Sequence, residues 1–289
     1  MEKLLSDYLK HLTIEKGYSS KTIDAYAYSV TKFLLFARGI SVPKINKNDI
    51  IKYLTFLAEH GHRKKNAKVT RARSLSIINS FFRYLLKNGY ITGNPAENIE
   101  APKIDNKEAS FLTEDECNAL LRAVEVTASK YYRLRDIAII KLFLTAGLRL
   151  SELVSLNIAD VNFDQNTVKV VRKGGKEQIL PLNHKTADAI KAYLENRDTA
   201  NDALFTSRLR NRINIGSIAY LVKKYMQNAG IREKKLSPHT LRHSFCTTLL
   251  NKGVNIAIIQ QLAGHKSLDT VRRYIHLTDD NLKDAINVL

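Results

Sequence analysis

Apolar residues recur every three or four positions through most of the first hundred residues, and this spacing predicts α-helices. The runs begin near Leu4, Ser20, Asn46 and Ala67, and glycines or polar stretches separate them. Helices of this length with one apolar face each pack into a compact bundle. We therefore predict a helical N-terminal domain over residues 1–100.

The apolar periodicity is lost over residues 101–110, where proline and polar residues predominate. We predict a linker there and a second domain over residues 111–289. Thr113 followed by Glu116 has the spacing of a capping box, which predicts a helix start. A further helix is expected to end at Gly147.

The pattern changes within the second domain, where short alternating or β-branched runs replace the helical spacing. They occupy residues 161–163, 167–171 and 178–182, and they predict a small antiparallel sheet. Gly174 and Gly175 lie in the turn between the last two runs. Helical spacing then resumes and continues to the C-terminus, so the expected fold class is mainly α with a small antiparallel β-sheet.

The chain carries 46 Lys and Arg against 28 Asp and Glu, a formal net charge of +18. Residues 1–100 hold half of that excess, with 17 basic and 8 acidic side chains. A strongly basic protein implies a polyanionic partner, and DNA, RNA and an acidic membrane all qualify. The even distribution of charge favours two domains that grip one extended polyanion from two sides.

No apolar stretch approaches the ~20 residues that span a bilayer, and the N-terminus lacks the apolar core of a signal peptide. We therefore expect a soluble, cytoplasmic protein without a membrane partner. The acidic residues lack the paired arrangement of two-metal nucleases, and no glycine-rich nucleotide-binding loop occurs. We expect no cofactor and no metal site.

Four short patterns in the second domain bring cationic side chains next to glycines or helix starts. They are Thr145-Ala146-Gly147-Leu148-Arg149-Leu150-Ser151-Glu152-Leu153, Arg172-Lys173-Gly174-Gly175-Lys176-Glu177, His239-Thr240-Leu241-Arg242-His243 and Leu262-Ala263-Gly264-His265-Lys266-Ser267. Tyr274 follows the histidine of the last pattern by nine residues. His239 and Arg242 are three residues apart, so they share one face of a helix, which Ser237 and Pro238 are expected to begin.

These side chains suit attack on a phosphodiester. Such attack builds negative charge on the non-bridging oxygens, and the guanidiniums of Arg149 and Arg242 can offer planar donors to one phosphate. The phenol of Tyr274 has an ordinary pKa near ~10, so it needs nearby cations and a base to attack at neutral pH. Each arginine alone would be interpreted as a surface ion-pair residue, but the order of the whole set in the chain favours a catalytic role.

Together the four patterns and Tyr274 resemble the tyrosine recombinase (phage integrase) family, and in length and layout its Xer-like site-specific recombinases. The resemblance covers nearly the whole chain. It implies a SAM-like, core-binding DNA-binding domain over residues 1–100 and a tyrosine recombinase catalytic domain over 111–289. The implied reaction cuts and rejoins DNA strands through a 3′-phosphotyrosine intermediate and a Holliday junction, for integration, excision or dimer resolution.

The resemblance also implies individual roles. Tyr274 is the nucleophile, and His239 is a phosphate contact and a candidate general base. His265 makes a hydrogen bond to the scissile phosphate. Lys173 protonates the departing 5′ oxygen, with Lys176 as its rival in the same turn.

Glu152 matches the family's acidic residue that orients the active site, although a surface ion pair explains it equally well. The two histidines and the tyrosine have local alternatives too. His239 could cap a helix start, His265 could close a helix at Gly264, and Tyr274 could be a buried helix residue. Their register within the four patterns favours the catalytic roles.

Basic residues outside the catalytic set are expected to contact the DNA backbone. One cluster leads into the fourth predicted helix, where a solvated helix end is the alternative interpretation, and two further arginines adjoin Tyr274. The candidates are Arg63, Lys64, Lys65, Lys68, Arg71, Arg73, Arg272 and Arg273.

The implied partner is double-stranded DNA with paired recombination half-sites, bound by a homotetramer on two sites with a dimer on each. A terminal helix whose apolar stripe includes Leu282 and Leu289 would dock into a neighbouring subunit, or pack on its own domain. Because the chain starts with the core-binding domain, we expect no arm-binding domain. An accessory protein or a paralogous recombinase stays open as a partner. The alternative functions are a type IB topoisomerase and a catalytically inactive DNA-binding protein on the same scaffold.

Overall fold

The computed structural model describes residues 2–60, 67–104, 110–172, 174–198, 200–232 and 234–264. They form two compact units, which divide between Asn106 and Lys107. Unit 1 is the N-terminal part of the chain and unit 2 the C-terminal part. The predicted linker at 101–110 spans this division, and its residues 105–109 lie outside the described residues.

Unit 1 consists of four long helices and a short 3-10 turn over its described residues. The helices are α1 (Glu2–Ile14), α2 (Ser20–Phe36), α3 (Lys47–His60) and α4 (Ala67–Lys87). Local hydrogen bonds explain where α3 begins, because the Asn46 side chain accepts from the backbone N–H groups of Asn48 and Asp49.

The core of unit 1 is rich in aromatic rings. Those exposed by at most 1% are Tyr8, Phe33, Tyr53, Phe81 and Phe82. Several pairs meet edge to face, such as Phe33 with Phe82 at 6.0 Å between ring centroids, which is a favoured aromatic geometry. The hydroxyl of Tyr8 donates to Oγ of Ser80 at 2.9 Å.

Unit 2 consists of helices and a three-stranded antiparallel sheet, and the buried sheet residues Val168, Val170 and Leu180 belong to the same apolar core as the helices. The helices are α5 (Glu114–Thr127), α6 (Arg133–Ala146), α7 (Leu150–Ser155), α8 (His184–Glu195), α9 (Ile215–Asn228), α10 (Pro238–Asn251) and α11 (Ile256–Ala263). The strands are β1 (Val161–Asn162), β2 (Thr167–Val171) and β3 (Glu177–Pro181), in the order β1-β2-β3. Helix α6 packs against α5, α8 and α10, so its C-terminal end lies deep in the unit.

The predicted fold class is confirmed by these helices and the small sheet. The capping box is present too, since Thr113 Oγ1 accepts from the Glu116 N–H while Glu116 accepts from the Thr113 N–H. Helix α7 was not predicted. The predicted terminal helix lies outside the described residues. Within the described ranges, no helix is both long enough and apolar enough to cross a membrane.

Two helices of unit 2 end at a glycine in the left-handed conformation. Gly147 follows α6 with φ 58°, and Gly264 follows α11 with φ 62°. A Cβ at Gly147 would lie 2.2 Å from Cδ1 of Phe245, and one at Gly264 would lie 2.8 Å from Nε of Arg172. Both positions therefore require glycine, and neighbouring side chains come directly against the two helix ends.

Candidate active site

Arg149 and Glu152 lie where the chain leaves Gly147 and enters α7. The Glu152 carboxylate accepts from the Arg149 backbone N–H at 2.8 Å and from Arg149 Nη1 at 2.7 Å. Glu152 is only 4% exposed, so the alternative of a surface ion pair is wrong. The side chain of Arg149 stays 29% exposed, so it can still reach a bound molecule.

The carboxyl of Glu152 is held in its charged form. Burial by itself would raise its pKa, but hydrogen bonds from the Arg149 backbone and from the guanidiniums of Arg149 and Arg172 outweigh burial and lower the pKa below its usual value. Glu152 is therefore anionic at neutral pH. It is placed to orient arginines and not to exchange protons.

Arg242 joins the ends of two helices. It projects from α10 and is 5% exposed. Its Nη1 donates to the Gly147 carbonyl after α6, and its Nη2 donates to the Ala263 carbonyl at the end of α11. Burial, and then the nearby charge of Arg149, lower the pKa of Arg242 to about 10. The guanidinium therefore keeps its charge at neutral pH.

The last turn of α11 presents three consecutive carbonyls to three different arginines. The pairs are Arg172 with Leu262, Arg242 with Ala263, and Arg149 with Gly264. The last carbonyls of a helix lack partners within the helix and carry the negative end of its dipole, so cations stabilise them. Three guanidiniums are thereby concentrated at the helix end that precedes His265 in the sequence.

His239 lies in the first turn of α10, which begins at Pro238 as predicted. More than a third of its surface is exposed, whereas Arg242 one turn later is buried. Partial burial and the positive charges of Lys235, Arg242 and Arg149 lower the pKa of His239 below its usual value. The imidazole is therefore neutral at pH 7, which is the form that a general base requires.

A cleft of about 1150 Å³ opens beside Arg149 and Glu152, and its lining also includes Arg172, Lys176, Gln178 and Gln261. Lys176, the rival of Lys173, is exposed. The structure thus brings Arg149, Glu152, His239 and Arg242 together. Three other predicted catalytic residues, Lys173, His265 and Tyr274, lie outside the described residues.

Sequence reasoning missed Arg172, which is 8% exposed. Its signal was available in β2, where Val168 and Val170 are buried and Lys169 and Val171 are not. Because side chains alternate along a strand, position 172 continues the buried face. An arginine there needs a buried anion, and Glu152 supplies it at 2.7 Å.

The predicted DNA contacts of unit 1 are only partly described. Arg63, Lys64 and Lys65 lie outside the described residues, as do Arg272 and Arg273 of unit 2. On α4, Lys68 and Arg73 are exposed and Arg71 is half-buried. At 100° per residue, Lys68 and Arg71 share a face while Arg73 lies about 160° around the helix from Arg71, so these three do not form a single stripe.

Comparison with known proteins matches both units. Residues 110–281 match the model of the phage integrase family. Residues 5–89 match the model of the phage integrase N-terminal SAM-like domain.

Individual relatives match over nearly the full length of the chain. Tyrosine recombinase XerC of Thermodesulfovibrio yellowstonii is 36% identical, with 98% of this chain and 94% of that protein covered. Tyrosine recombinase XerD of Oceanobacillus iheyensis is 32% identical, with 98% and 97% covered. The crystal structure of XerH site-specific recombinase bound to a palindromic difH substrate shares the fold, with a TM-score of 0.76 at 24% identity and 98% and 84% coverage.

Proposed function

The chain belongs to the phage integrase family and is a site-specific tyrosine recombinase, and we propose that it cuts and rejoins double-stranded DNA with Tyr274 as its nucleophile. Its relatives do not favour the alternatives, a type IB topoisomerase or an inactive DNA-binding protein.

The observation that carries the proposal is the convergence of Arg149 and Arg242 on the end of α11. Both guanidiniums are charged and held in place by backbone carbonyls, and His239 lies close enough for their charge to affect its pKa. Preorganised donors of this kind stabilise the charge that develops on a phosphate under attack. In the sequence, His265 directly follows the last of the three arginine-bound carbonyls, which supports its proposed hydrogen bond to the same phosphate.

In the proposed step, the phenolic oxygen of Tyr274 bonds to phosphorus while the bond from phosphorus to the 5′ oxygen breaks. His239 accepts the phenol proton, and Lys173 donates a proton to the departing oxygen. The products are a 3′-phosphotyrosine and a free 5′ hydroxyl. Attack by the 5′ hydroxyl of another strand reverses the step, so rejoining needs no ATP.

The assembly that we propose is a homotetramer on two duplexes, with a dimer on the paired half-sites of each and a Holliday junction between the two strand exchanges. The net charge of +18 supports a nucleic acid as the partner. We place the reaction in the cytoplasm. Relatives named XerC and XerD match to a similar degree, so a paralogous recombinase or an accessory protein stays open as a further partner.

A library of nicked duplexes with random sequence tests the proposal whatever the sequence of the DNA site. A nick close to the cleavage position lets the short 5′-hydroxyl fragment diffuse away, so the covalent intermediate accumulates. We expect the wild-type protein to yield adducts that survive denaturation and contain a shared pair of half-sites. Sequencing the recovered DNA would also report the spacing of those half-sites.

Two tyrosine substitutions complete the experiment. Tyr274→Phe should yield no adduct, because the hydroxyl that attacks phosphorus is removed. Tyr131→Phe is the matched control, since Tyr131 is 89% exposed in the same unit, and it should behave as wild type. The proposal fails if the wild-type protein forms no adduct, or if Tyr274→Phe forms as much as wild type.

A further inference from the structure

Arg172 connects three separate elements through one side chain. Its Nε donates to Oε1 of Gln178 on β3 at 2.9 Å, and its Nη1 donates to Oε2 of Glu152 on α7 at 2.7 Å. Its Nη2 donates to the Leu262 carbonyl on α11 at 2.6 Å. All three nitrogens of the guanidinium are therefore used within the protein, and little of the side chain reaches solvent.

The carboxylate of Glu152 is shared between two arginines. Its Oε1 accepts from Arg149 Nη1, and its Oε2 accepts from both the Arg149 backbone and Arg172 Nη1. Arg149 therefore contacts both oxygens of the carboxylate, and Arg172 adds a second donor on Oε2. If Arg172 were lost, one of the two bonds that hold Oε2 would be lost, and Glu152 would restrict the orientation of the Arg149 guanidinium less tightly.

The β2–β3 turn and the last turn of α11 are also joined through this residue. The backbone N–H of Arg172 donates to the Lys176 carbonyl at 2.7 Å and closes the turn. A parallel bond runs from Nε2 of Gln178 to the Gln261 carbonyl at 2.9 Å. A Cβ at Gly264 would lie 2.8 Å from Nε of Arg172, so the guanidinium packs closely against the backbone at Gly264.

We propose that Arg172 is a positioning residue of the recombination reaction. It orients Arg149 through Glu152, and it ties the turn that contains Lys173 to the helix end that leads into His265. The role that we assign to Arg172 is to orient its neighbours, because each of its three guanidinium nitrogens already donates a hydrogen bond within the protein. This inference rests on the proposed roles of Arg149 and Lys173.

The test compares Arg172→Lys with Arg135→Lys in the full-length protein. Arg135 is a matched control, because it is also largely buried and bonds to a buried carboxylate, Asp136, and to a carbonyl, that of Thr206. A lysine keeps the charge, but its single ammonium nitrogen cannot reach the three separate acceptors that the planar guanidinium bonds. We expect Arg172→Lys to form the covalent adduct about 10- to 100-fold more slowly at saturating protein, and Arg135→Lys to keep the wild-type rate despite a comparable fall in melting temperature.

A substrate with sulfur in place of the bridging 5′ oxygen separates the two effects of Arg172. A thiolate leaves without a proton donor because thiols are far more acidic than alcohols, so the sulfur substrate should rescue Lys173→Ala. For Arg172→Lys we expect the sulfur substrate to restore only the part of the rate that is lost through Lys173. Full restoration would contradict the proposed effect on Arg149, and no restoration would contradict the proposed effect on Lys173.

Gln178→Ala provides a second variant in case Arg172→Lys does not fold, since it leaves the pair of Arg172 and Glu152 intact. We expect a smaller loss of rate, about 3- to 10-fold, at an unchanged melting temperature. The inference is overturned if both variants cleave at the wild-type rate, or if the loss of rate in Arg172→Lys is no larger than that in Arg135→Lys. A wild-type protein without adduct would instead refute the proposed function.

Discussion

The two units bury different kinds of side chain. In unit 1, the core is aromatic and aliphatic, and over the described residues Ser74 is its one buried polar or charged side chain. Unit 2 buries the charges of Asp136, Glu152, Arg172 and Arg242. Buried charges are costly unless each is paired, and in unit 2 each of them bonds to an opposite charge or to a backbone carbonyl.

This difference indicates how each unit contributes to the reaction. Unit 1 keeps basic residues such as Lys68 and Arg73 at its surface, where they can meet a polyanion while an ordinary core maintains the fold. In unit 2, the buried carboxylate of Glu152 fixes the guanidiniums of Arg149 and Arg172, which line the cleft. Substitutions in the two units should therefore separate stability from chemistry.

The largest effect is expected from Phe82→Ala in unit 1. Phe82 is fully buried and packs against Phe33 and Phe81, so its loss should destabilise unit 1 by about 3–5 kcal/mol. Calorimetry should show the transition of unit 1 at a lower temperature. At a temperature where the variant is folded, the rate of adduct formation at saturating protein should stay within about twofold of wild type, because the chemistry lies in unit 2.

Leu35→Ala serves as the control for Phe82→Ala. Leu35 lies on α2 of the same unit and is 64% exposed, so its truncation should change stability by no more than ~0.5 kcal/mol. If folded Phe82→Ala bound DNA normally but cleaved it much more slowly than wild type, the assignment of stability and chemistry to different units would be contradicted.

Arg149→Ala should show the opposite behaviour. Removal of one preorganised donor to a developing charge typically slows a reaction by about 10²–10³-fold, or about 2.7–4 kcal/mol. Single-turnover cleavage of the nicked substrate measures this rate. Because Arg149 also pairs with the buried carboxylate of Glu152, the melting temperature should fall as well, and the rates are compared at a temperature where both variants are folded. Arg122→Ala removes the same charge from an exposed position on α5. Equal rates for these two variants would argue against a phosphate site at Arg149.

The smallest effect is the dependence of cleavage on pH through His239. Burial and three neighbouring cations lower its pKa below 6.5, and a general base acts in its deprotonated form. At limiting protein, the second-order rate constant of cleavage should therefore fall about tenfold per pH unit below that pKa. In the His239→Gln variant, the rate constant should no longer fall in this way at acidic pH. A midpoint above 6.5 would contradict the assigned electrostatic environment.

Local sequence signals predicted most of the helices and the sheet. The capping box of Thr113 and Glu116 and the glycine end of α6 depend on residues close in sequence, so the pattern alone identified them. Arg149, Glu152, His239 and Arg242 were identified as a set in a different way, because their order in the chain resembles that of a known family. The structure places the four together.

The remaining features depend on contacts between distant residues. Arg242 bonds to a carbonyl 95 residues away, and Arg172 bonds to one 90 residues away, and no local pattern encodes such distances. Glu152 bonds to Arg172, which is 20 residues away in the sequence, so sequence could not separate a buried pair from a surface pair. Arg172 was predictable in part, since the alternation of β2 extends to it.

The central claim is that Tyr274 is the residue that bonds to DNA. Trypsin digestion of the wild-type adduct, followed by nuclease trimming and mass spectrometry, tests this claim most directly, because the chain contains thirteen tyrosines. We predict that the phosphate-linked nucleotide is attached to Tyr274, in the peptide that ends at Lys283. A nucleotide on any of the other twelve tyrosines would contradict the account.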